Sequence, residues 1–284
     1  MKVLTTRREL AVELSGLRRL GASLGLVPTM GALHEGHRSL LVAARPANDA
    51  VAMTLFVNPL QFNDPADLER YPRDLDGDLH LAEAAGVDLV LAPSPDEMYP
   101  DGDPVVRVDP GVMGDGLEGA SRPGHFVGVA TVVAKLFAMF GADRAYFGEK
   151  DYEQLALIRR LVLDLAFPLE IISCPTVREP DGLALSSRNV RLTQEERAAA
   201  PTLHRALEAG WAALAEGRTP KDAEAAMAAV VGTETRFALE YAAVRDATTL
   251  AEPASGAAAL RLLIAARIGA VRLIDNLGFV PTGD

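Results

Sequence analysis

The sequence P-T-M-G-A-L-H-E-G-H at residues 28–37 joins an apolar segment to a helical one. The apolar run Leu24–Val27 precedes it and the helical pattern Arg38–Arg45 follows, so we predict a strand, a tight turn and a helix. A helix that begins at the carboxyl end of a strand presents unpaired backbone N–H groups and the positive end of its dipole. Because such an end binds anions, we predict that this turn binds phosphate.

His34 and His37 lie three residues apart and share one face of the predicted helix. The spacing leaves two interpretations open: the histidines bind the anion, or they only cap the helix. A zinc protease motif is excluded, because H-E-x-x-H requires a histidine at position 38, which is Arg38. The chain has no G-x-G-x-x-G after this strand and no G-x-x-x-x-G-K-[ST], so neither a typical dinucleotide fold nor a P-loop kinase is predicted.

Composition indicates a globular protein of one large or two medium domains, since 284 residues with 49% hydrophobic content can bury a full core. The net charge of −11 argues against a nucleic-acid partner. The single cysteine, Cys174, excludes an internal disulfide, and its apolar surroundings predict a buried, inert thiol. Residues 1–10 do not resemble a signal peptide and no apolar stretch is long enough to span a bilayer, so we expect a cytoplasmic protein without membrane association.

Strand and helix signals alternate through the first half of the chain, which predicts an α/β fold built on a doubly wound parallel sheet. The later strands are predicted at Ala50–Val57, Val87–Ala92, Val105–Val108, Arg144–Phe147 and Leu169–Val177. The helices are predicted at Asp74–Ala85, Phe126–Phe140 and Lys150–Leu165, with a polar loop at Gln61–Asp67.

After Val177 the pattern changes to a charged loop, Arg178–Arg191, and then mainly to helices. We predict one alanine-rich helix that is capped by Thr193 and runs to Ala215, then a helix at Pro220–Val231 and two strand-like segments, Ala238–Val244 and Leu260–Ile274. The chain is therefore predicted to have a first domain, residues 1–176, and a smaller C-terminal α+β domain, residues 177–284.

Ligands of a doubly wound sheet bind beyond the carboxyl ends of its strands, so polar residues that follow strands are the candidates for a site. A lysine beside a glycine can reach an anion, and serine hydroxyls beside a guanidinium form a phosphate clamp. Four clusters follow strands: His34 and His37; Asn58 and Gln61; Gly148-Glu149-Lys150-Asp151 with Gln154; and Ser186-Ser187-Arg188.

Simpler structural roles remain open for several of these residues. Asp151 suits the first turn of a helix by its charge alone, and Asn58 is typical of a turn that ends a strand. Arg122 either adds a cation to an anion site or belongs to an ordinary basic turn. The acidic stretch Asp74–Asp78 indicates either a magnesium site, which needs one or two carboxylates besides phosphate oxygens, or a solvated helix start.

With these residues assembled, the sequence resembles the pantothenate synthetase (pantoate–β-alanine ligase) family of nucleotidyl transferases with a His-x-Gly-His signature. The resemblance continues to R-L-I-D-N at residues 272–276. The matching segments are P-T-M-G-A-L-H-E-G-H at 28–37, F-V-N-P-L-Q-F at 56–62, Y-P-R at 71–73, G-H-F-V-G-V-A-T-V-V-A-K-L-F at 124–137, G-E-K-D-Y-E-Q-L at 148–155 and P-T-V-R-E-P-D-G-L-A-L-S-S-R-N at 175–189.

The resemblance implies a Rossmann-like first domain and a C-terminal lid domain whose closure screens an intermediate from water. It implies that pantoate and β-alanine are condensed with ATP through pantoyl adenylate, releasing AMP and pyrophosphate. It also implies Mg²⁺ as cofactor and a homodimer. Two alternatives stay open here: another adenylyltransferase of the same signature group, and an inactive nucleotide-binding module.

The resemblance also implies roles for individual residues. His34, His37 and Lys150 are the implied catalytic residues, and Asp78 is the implied metal ligand. This sequence departs from the family pattern at Leu185, where methionine is common, at Glu153, where glutamine is common, and at Gly77, in an often acidic stretch. The implied ATP-binding residues are Pro28, Met30, His37, Gly148, Lys150, Asp151, Val177, Leu185, Ser186, Ser187 and Arg188, and those for pantoate and β-alanine are Gln61, Gln154, Asn58 and Arg122.

Overall fold

The structure is a computed structural model that describes residues 1–281, and its internal contacts divide the chain into two compact units. The first unit comprises Met1–Glu149 and Leu157–Pro175, and the second comprises Lys150–Ala156 and the residues from Thr176 onward. The chain therefore passes from the first unit to the second at Lys150, inside one of the polar clusters found in the sequence.

A six-stranded sheet forms the centre of the first unit, and all its strand pairs are parallel. Its central strands are buried on both faces, as expected when helices cover both sides of a parallel sheet. The predicted α/β fold with a doubly wound parallel sheet is thus confirmed. In chain order the strands are β1 (Lys2–Leu4), β2 (Leu24–Thr29), β3 (Ala50–Leu55), β4 (Leu89–Leu91), β5 (Arg144–Gly148) and β6 (Glu170–Cys174), and their order across the sheet is β1-β4-β3-β2-β5-β6.

The helices of this part of the chain include the apolar Phe126–Phe140 segment, which is buried as predicted. The sequence did not predict the first strand and helix, β1 and α1, although Thr6 and Glu9 form a capping box at the start of α1. The helices are α1 (Arg7–Arg19), α2 (Glu35–Ala44), α3 (Pro65–Glu69), α4 (Leu75–Ala84), α5 (Pro95–Met98), α6 (Glu118–Ser121), α7 (His125–Phe140) and α8 (Tyr152–Asp164).

The predicted strand at Val105–Val108 is wrong, because this segment has no strand partner. Pro104 removes a backbone donor before it, and the N–H of Val108 donates instead to the hydroxyl of Thr131 at 3.0 Å. The predicted buried strand at Leu169–Val177 is also shorter and more exposed than expected: β6 is an edge strand, and within it only Cys174 is buried.

The second unit contains a three-stranded antiparallel sheet and the helices packed on it, which confirms a smaller α+β part. Pro201 interrupts the predicted alanine-rich helix, because it cannot donate a backbone hydrogen bond. Gly269, at φ +54°, turns the predicted strand Leu260–Ile274 into a hairpin. The elements are α9 (Gln194–Ala199), α10 (Thr202–Ala215), α11 (Pro220–Gly232), β7 (Phe237–Asp246), β8 (Leu260–Ile268) and β9 (Val271–Phe279).

Among residues 1–281, no helix combines the length and apolar character that crossing a bilayer requires.

Candidate functional site

The strand order places the main candidate site between β2 and β5. From β2 the chain continues to β3 on one side, and from β5 it continues to β6 on the other side. Neighbouring strands whose connections leave in opposite directions form a crevice at their carboxyl ends, where ligands of such sheets bind. The turn after β2 and the Gly148-Glu149 end of β5 flank this crevice.

The turn after β2 adopts an unusual backbone conformation. Gly31 has φ +84° and Ala32 has φ +52°, which is the left-handed region that non-glycine residues rarely occupy. Asp78, at the start of α4, holds the turn: its Oδ2 accepts the backbone N–H of Ala32 at 2.9 Å and its Oδ1 accepts that of Leu33 at 2.7 Å. A Cβ atom at Gly31 would lie 2.8 Å from Asp78 Oδ2, so only glycine fits there.

Asp78 is 6% exposed, whereas Asp76 in the same helical turn lies at the surface. Burial raises the pKa of the Asp78 carboxyl, and the N–H groups of Leu33 and Ala32 oppose that shift by favouring the carboxylate. Asp74 caps α4 by accepting the N–H of Gly77 at 3.0 Å. The three aspartates of the acidic stretch therefore differ in role: Asp74 caps the helix, Asp76 is a surface charge, and Asp78 is a buried hydrogen-bond acceptor.

His34 and His37 cap helix α2 reciprocally. His34 is the N-cap, and its Nδ1 accepts the N–H of Gly36 at 3.1 Å, while Nδ1 of His37 accepts the N–H of His34 at 3.3 Å. The ring centroids are 4.2 Å apart. The helix begins at Glu35, earlier than predicted, because the two imidazoles supply the acceptors that its first turn needs. Each imidazole has a second nitrogen, so capping and anion binding are compatible.

Asn58 and Gln61 lie in a buried polar chain after β3. The hydroxyl of Tyr99 donates to Asn58 Oδ1 at 3.0 Å, and Asn58 Nδ2 donates to Gln61 Oε1 at 3.1 Å. Gln61 Nε2 in turn contacts Met30 Sδ at 3.0 Å. The structure thus brings two predicted substrate residues, Asn58 and Gln61, to the predicted ATP residue Met30 in the turn after β2.

Helix α7 packs against this buried polar chain of side chains. Asn58 Nδ2 also contacts the carbonyl oxygen of Gly128 at 3.2 Å. A Cβ atom at Gly128 would collide with the carbonyl oxygen of Leu60. The absence of a side chain at Gly128 therefore allows α7 to approach the 3-10 turn Pro59–Gln61 closely.

Arg122 and His125 hold the backbone of Gln61. His125 Nδ1 lies 2.8 Å from the carbonyl oxygen of Gln61, and Arg122 Nη2 donates to the same oxygen at 3.3 Å. Arg122 was a candidate from the sequence, whereas His125 and Tyr99 were missed as site residues. The R-P-G-H turn before a buried helix is the signal that could have identified His125. Nothing in the local sequence marks Tyr99, and burial raises the pKa of its hydroxyl.

Lys150, Asp151 and Gln154 belong to the second unit, whereas Gly148 and Glu149 end the preceding part of the first unit. Glu149–Asp151 form a 3-10 turn that leads into α8. Lys150 Nζ lies 3.4 Å from Asp151 Oδ1, with the lysine side chain 19% exposed and the aspartate side chain 52% exposed. Gln154 is half-buried in the first turn of α8. Glu153 accepts a hydrogen bond from the hydroxyl of Tyr241 at 3.2 Å.

Pro28 lies in β2, whereas Val177 and Leu185 lie at the open end of a small hairpin in the second unit and Ser186, Ser187 and Arg188 follow that hairpin. Leu185 donates its N–H to the carbonyl oxygen of Val177 at 3.0 Å, beside a bridge between Arg178 and Ala184. The hydroxyl of Ser186 accepts the backbone N–H of Arg188 at 3.2 Å, and Ser187 lies half-buried between them. Val177 and Leu185 are therefore brought together, next to the serine–arginine segment.

Residues 1–281 contain no group of three or more His, Cys, Asp or Glu side chains arranged to hold a metal ion. A site for Mg²⁺ does not need one, because this ion uses one or two carboxylates together with phosphate oxygens and water. The carboxylate of Asp78 has about four lone-pair sites, of which the two backbone hydrogen bonds use two. Asp78 thus fits as a single protein ligand to nucleotide-bound Mg²⁺.

A doubly wound sheet with a capped helix N-terminus at its switch point is characteristic of nucleotide-binding α/β proteins. The profile of the pantoate-beta-alanine ligase family matches residues 2–278, and this chain belongs to that family. The resemblance stated from the sequence motifs is thereby confirmed.

The relatives agree with this assignment. A pantothenate synthetase of Roseiflexus sp. is 52% identical, covering 97% of this chain and 98% of its own. A pantothenate synthetase structure from Thermus thermophilus has a TM-score of 0.90 and 47% identity, covering 98% of this chain and 99% of that one. A Francisella tularensis pantoate-beta-alanine ligase, complexed with beta-gamma ATP and beta-alanine, has a TM-score of 0.80 and 35% identity over 98% and 97% of the two chains. None of these favours the alternative functions.

Proposed function

We propose that this protein condenses pantoate with β-alanine, using ATP, and releases AMP and pyrophosphate. The observation that carries the proposal is the reciprocal cap of His34 and His37 at the switch point of a chain that belongs to the pantoate-beta-alanine ligase family. The cap fixes two imidazole rings at the N-terminus of α2, where the helix dipole favours phosphate.

In the first step a carboxylate oxygen of pantoate attacks the α-phosphorus of ATP. A new P–O bond forms, the bond to the pyrophosphate oxygen breaks, and pyrophosphate leaves with the electron pair. Negative charge grows on the phosphoryl oxygens during this step, and preorganised donors aimed at those oxygens lower the barrier. We assign this task to His34, His37 and Lys150, with no covalent bond to the protein.

Pantoate itself is assigned to the buried polar chain. Tyr99 and Gly128 hold the amide of Asn58, and Asn58 in turn orients the side chain of Gln61. The amide of Gln61 is therefore preorganised to receive a polyol carboxylate, with Asn58 as the residue that positions it. Arg122 adds a positive charge beside them, and Gln154 completes the substrate residues that the family resemblance implies.

In the second step the amine of β-alanine attacks the acyl carbon of pantoyl adenylate. The carbon–nitrogen bond forms, the bond between the acyl carbon and the AMP oxygen breaks, and the amine gives up a proton to solvent. The other nucleotide contacts are assigned to Pro28, Met30 and Gly148, to Asp151 for the ribose, and to Val177, Leu185, Ser186, Ser187 and Arg188. Mg²⁺ supplies charge neutralisation at the phosphates when it is bound, with Asp78 as its protein ligand.

Incubation of the purified protein with ATP, Mg²⁺, pantoate and β-alanine tests the proposal. We expect AMP, pyrophosphate and pantothenate in equal amounts. Omission of β-alanine should leave pyrophosphate formation limited to about one equivalent of enzyme, because the adenylate stays bound. Folded protein that forms no AMP with all four components present would refute the activity.

A homodimer in the cytoplasm is part of the same proposal. The segment at residues 104–112 exposes Val105, Val106 and Val112 almost fully, which is an apolar surface that a second copy of the chain can cover. Light scattering coupled to gel filtration should give twice the mass of one chain, and Val106→Asp should lower the measured mass.

The buried Cys174 suits a reducing compartment, and cell fractionation tests that location.

A further inference from the structure

Two polar residues in the middle of β9, Asp275 and Asn276, are buried without a part in the proposed chemistry. They are 5% and 3% exposed and belong to the R-L-I-D-N segment that ends the sequence resemblance. Burial of an amide and a carboxylate costs free energy unless both are hydrogen-bonded. Their partners therefore indicate what the pair does.

Asn276 binds the lysine turn. Its Nδ2 donates to the backbone carbonyl oxygen of Lys150 at 2.7 Å, and its Oδ1 accepts from Nε of Arg261 at 2.7 Å. The guanidinium carbon of Arg261 lies 3.9 Å from the ring centroid of Tyr152, and the hydroxyl of Tyr152 donates to the carbonyl oxygen of Ala247. The turn is thus fixed on both sides of Asp151: Asn276 holds the carbonyl of Lys150, and Arg261 lies over the ring of Tyr152.

Asp275 binds Arg178, in the hairpin that precedes the other predicted phosphate segment, Ser186–Arg188. The pair is bidentate, with N–O distances of 2.6 and 2.9 Å. Arg178 also donates to the carbonyl oxygen of Gly182 at 3.0 Å and to that of Asn276 at 3.2 Å. These bonds join the first strand of the hairpin to its own turn and to β9, and the chain continues from the hairpin into Ser186. The two adjacent residues of β9 therefore anchor both segments of the second unit that carry ATP residues in the proposed function.

We propose that Asp275 and Asn276 are positioning residues for adenylation: Asn276 sets the backbone of Lys150, and Asp275 sets the hairpin before Ser186. This inference rests on the proposed function, since it requires that Lys150 contacts ATP. A backbone anchor at Lys150 leaves its side chain able to reach a phosphate while it fixes the starting point of that side chain. Displacement of a positioning group by about 1 Å can slow an enzyme on the order of a hundredfold.

The test is Asn276→Asp in the full chain. The carboxylate keeps an acceptor for Arg261 but places a repelling oxygen against the carbonyl of Lys150. Ile264→Val is the control for stability, because Ile264 is fully buried in β8 of the same sheet and is outside the Asn276–Lys150 chain. We expect Asn276→Asp to lower kcat/KM for ATP on the order of a hundredfold, with KM for β-alanine unchanged, while Ile264→Val changes only the unfolding temperature.

A double-mutant cycle with Lys150→Ala, read as the dissociation constant of ATP by calorimetry, separates positioning from general stability. Asn276→Asp should weaken ATP binding about tenfold in the wild-type background and less than about twofold in the Lys150→Ala background. If Asn276→Asp does not fold, Arg261→Lys, which loses the Nε donor and the planar contact with Tyr152, is expected to show the same non-additivity.

Equal effects in both backgrounds, or an Asn276→Asp enzyme that behaves like Ile264→Val, would overturn the positioning role while leaving Lys150 in place. Wild-type ATP affinity and turnover in Lys150→Ala alone would instead refute the proposed role of Lys150, and with it this inference.

Discussion

The carboxylate of Asp78 accepts the backbone N–H of Leu33 at 2.7 Å and so ties helix α4 to the turn that leads into α2. The turn contains a non-glycine residue, Ala32, at φ +52°. A left-handed residue persists only where its surroundings fix it, and Asp78 supplies that constraint by also accepting the N–H of Ala32.

Asp78→Asn tests this constraint. The variant keeps the side chain's size but replaces one acceptor oxygen by a donor that faces a backbone N–H. We expect a loss of about 1–3 kcal/mol in the free energy of unfolding, because one buried N–H is left unsatisfied, together with a lower kcat/KM. Asp76→Asn, at an exposed position of the same helix, should change neither quantity; denaturant titration and steady-state kinetics measure both.

The same variant tests the proposed metal ligand. Loss of a carboxylate charge should raise the Mg²⁺ concentration needed for half-maximal rate, since Mg²⁺ prefers carboxylate over amide oxygen. A magnesium titration of wild type, Asp78→Asn and Asp76→Asn measures this. An unchanged magnesium requirement in Asp78→Asn would leave Asp78 with its structural role alone.

The histidine cap allows its structural and chemical roles to be separated. Asparagine is a good N-cap and glutamine is a good third residue of a capping box, so His34→Asn and His37→Gln should keep the unfolding free energy within about 0.5 kcal/mol of wild type, whereas His34→Ala should lose about 1 kcal/mol. Turnover should fall about a hundredfold or more in each variant, because each lacks an imidazole donor. Full activity in His34→Asn or His37→Gln would show that the substituted histidine acts only as a helix cap.

Gly128→Ala tests the support of the substrate residues by α7. The added methyl group collides with the carbonyl oxygen of Leu60, so overpacking should cost about 1–3 kcal/mol and shift Asn58 and Gln61. KM for pantoate should rise while KM for ATP changes little. Gly16→Ala is the matched control, since a Cβ there meets nothing within 4 Å and the exchange favours helix α1 by about 0.5–1 kcal/mol.

The sequence was a good guide where local pattern and tertiary structure agree. Periodicity and proline or glycine breaks were enough to predict β2, β3, β5 and α7, and the positions after those three strands led to three of the four polar clusters. Thr193 and Glu196 form the capping box that their spacing predicted.

The sequence failed where a structure depends on distant partners. The alternation at Val105–Val108 resembles a strand, but no neighbouring strand pairs with it. Tyr99 joins the site only because the fold brings its hydroxyl to Asn58, 41 positions away in sequence. The acidic charge of Asp78 made it a candidate metal ligand. Its hydrogen bond with the N–H of Leu33, 45 positions away in sequence, leaves no local signal.

The central claim, that pantoate is activated as an acyl adenylate, is tested most directly by following the carboxylate oxygen. Pantoate labelled with ¹⁸O at both carboxylate oxygens is incubated with the enzyme, ATP, Mg²⁺ and β-alanine, and the AMP is analysed by mass spectrometry. We expect one ¹⁸O atom in each AMP, because the attacking oxygen stays on the α-phosphorus when the amine displaces the nucleotide. Unlabelled AMP, or label in inorganic phosphate, would contradict it.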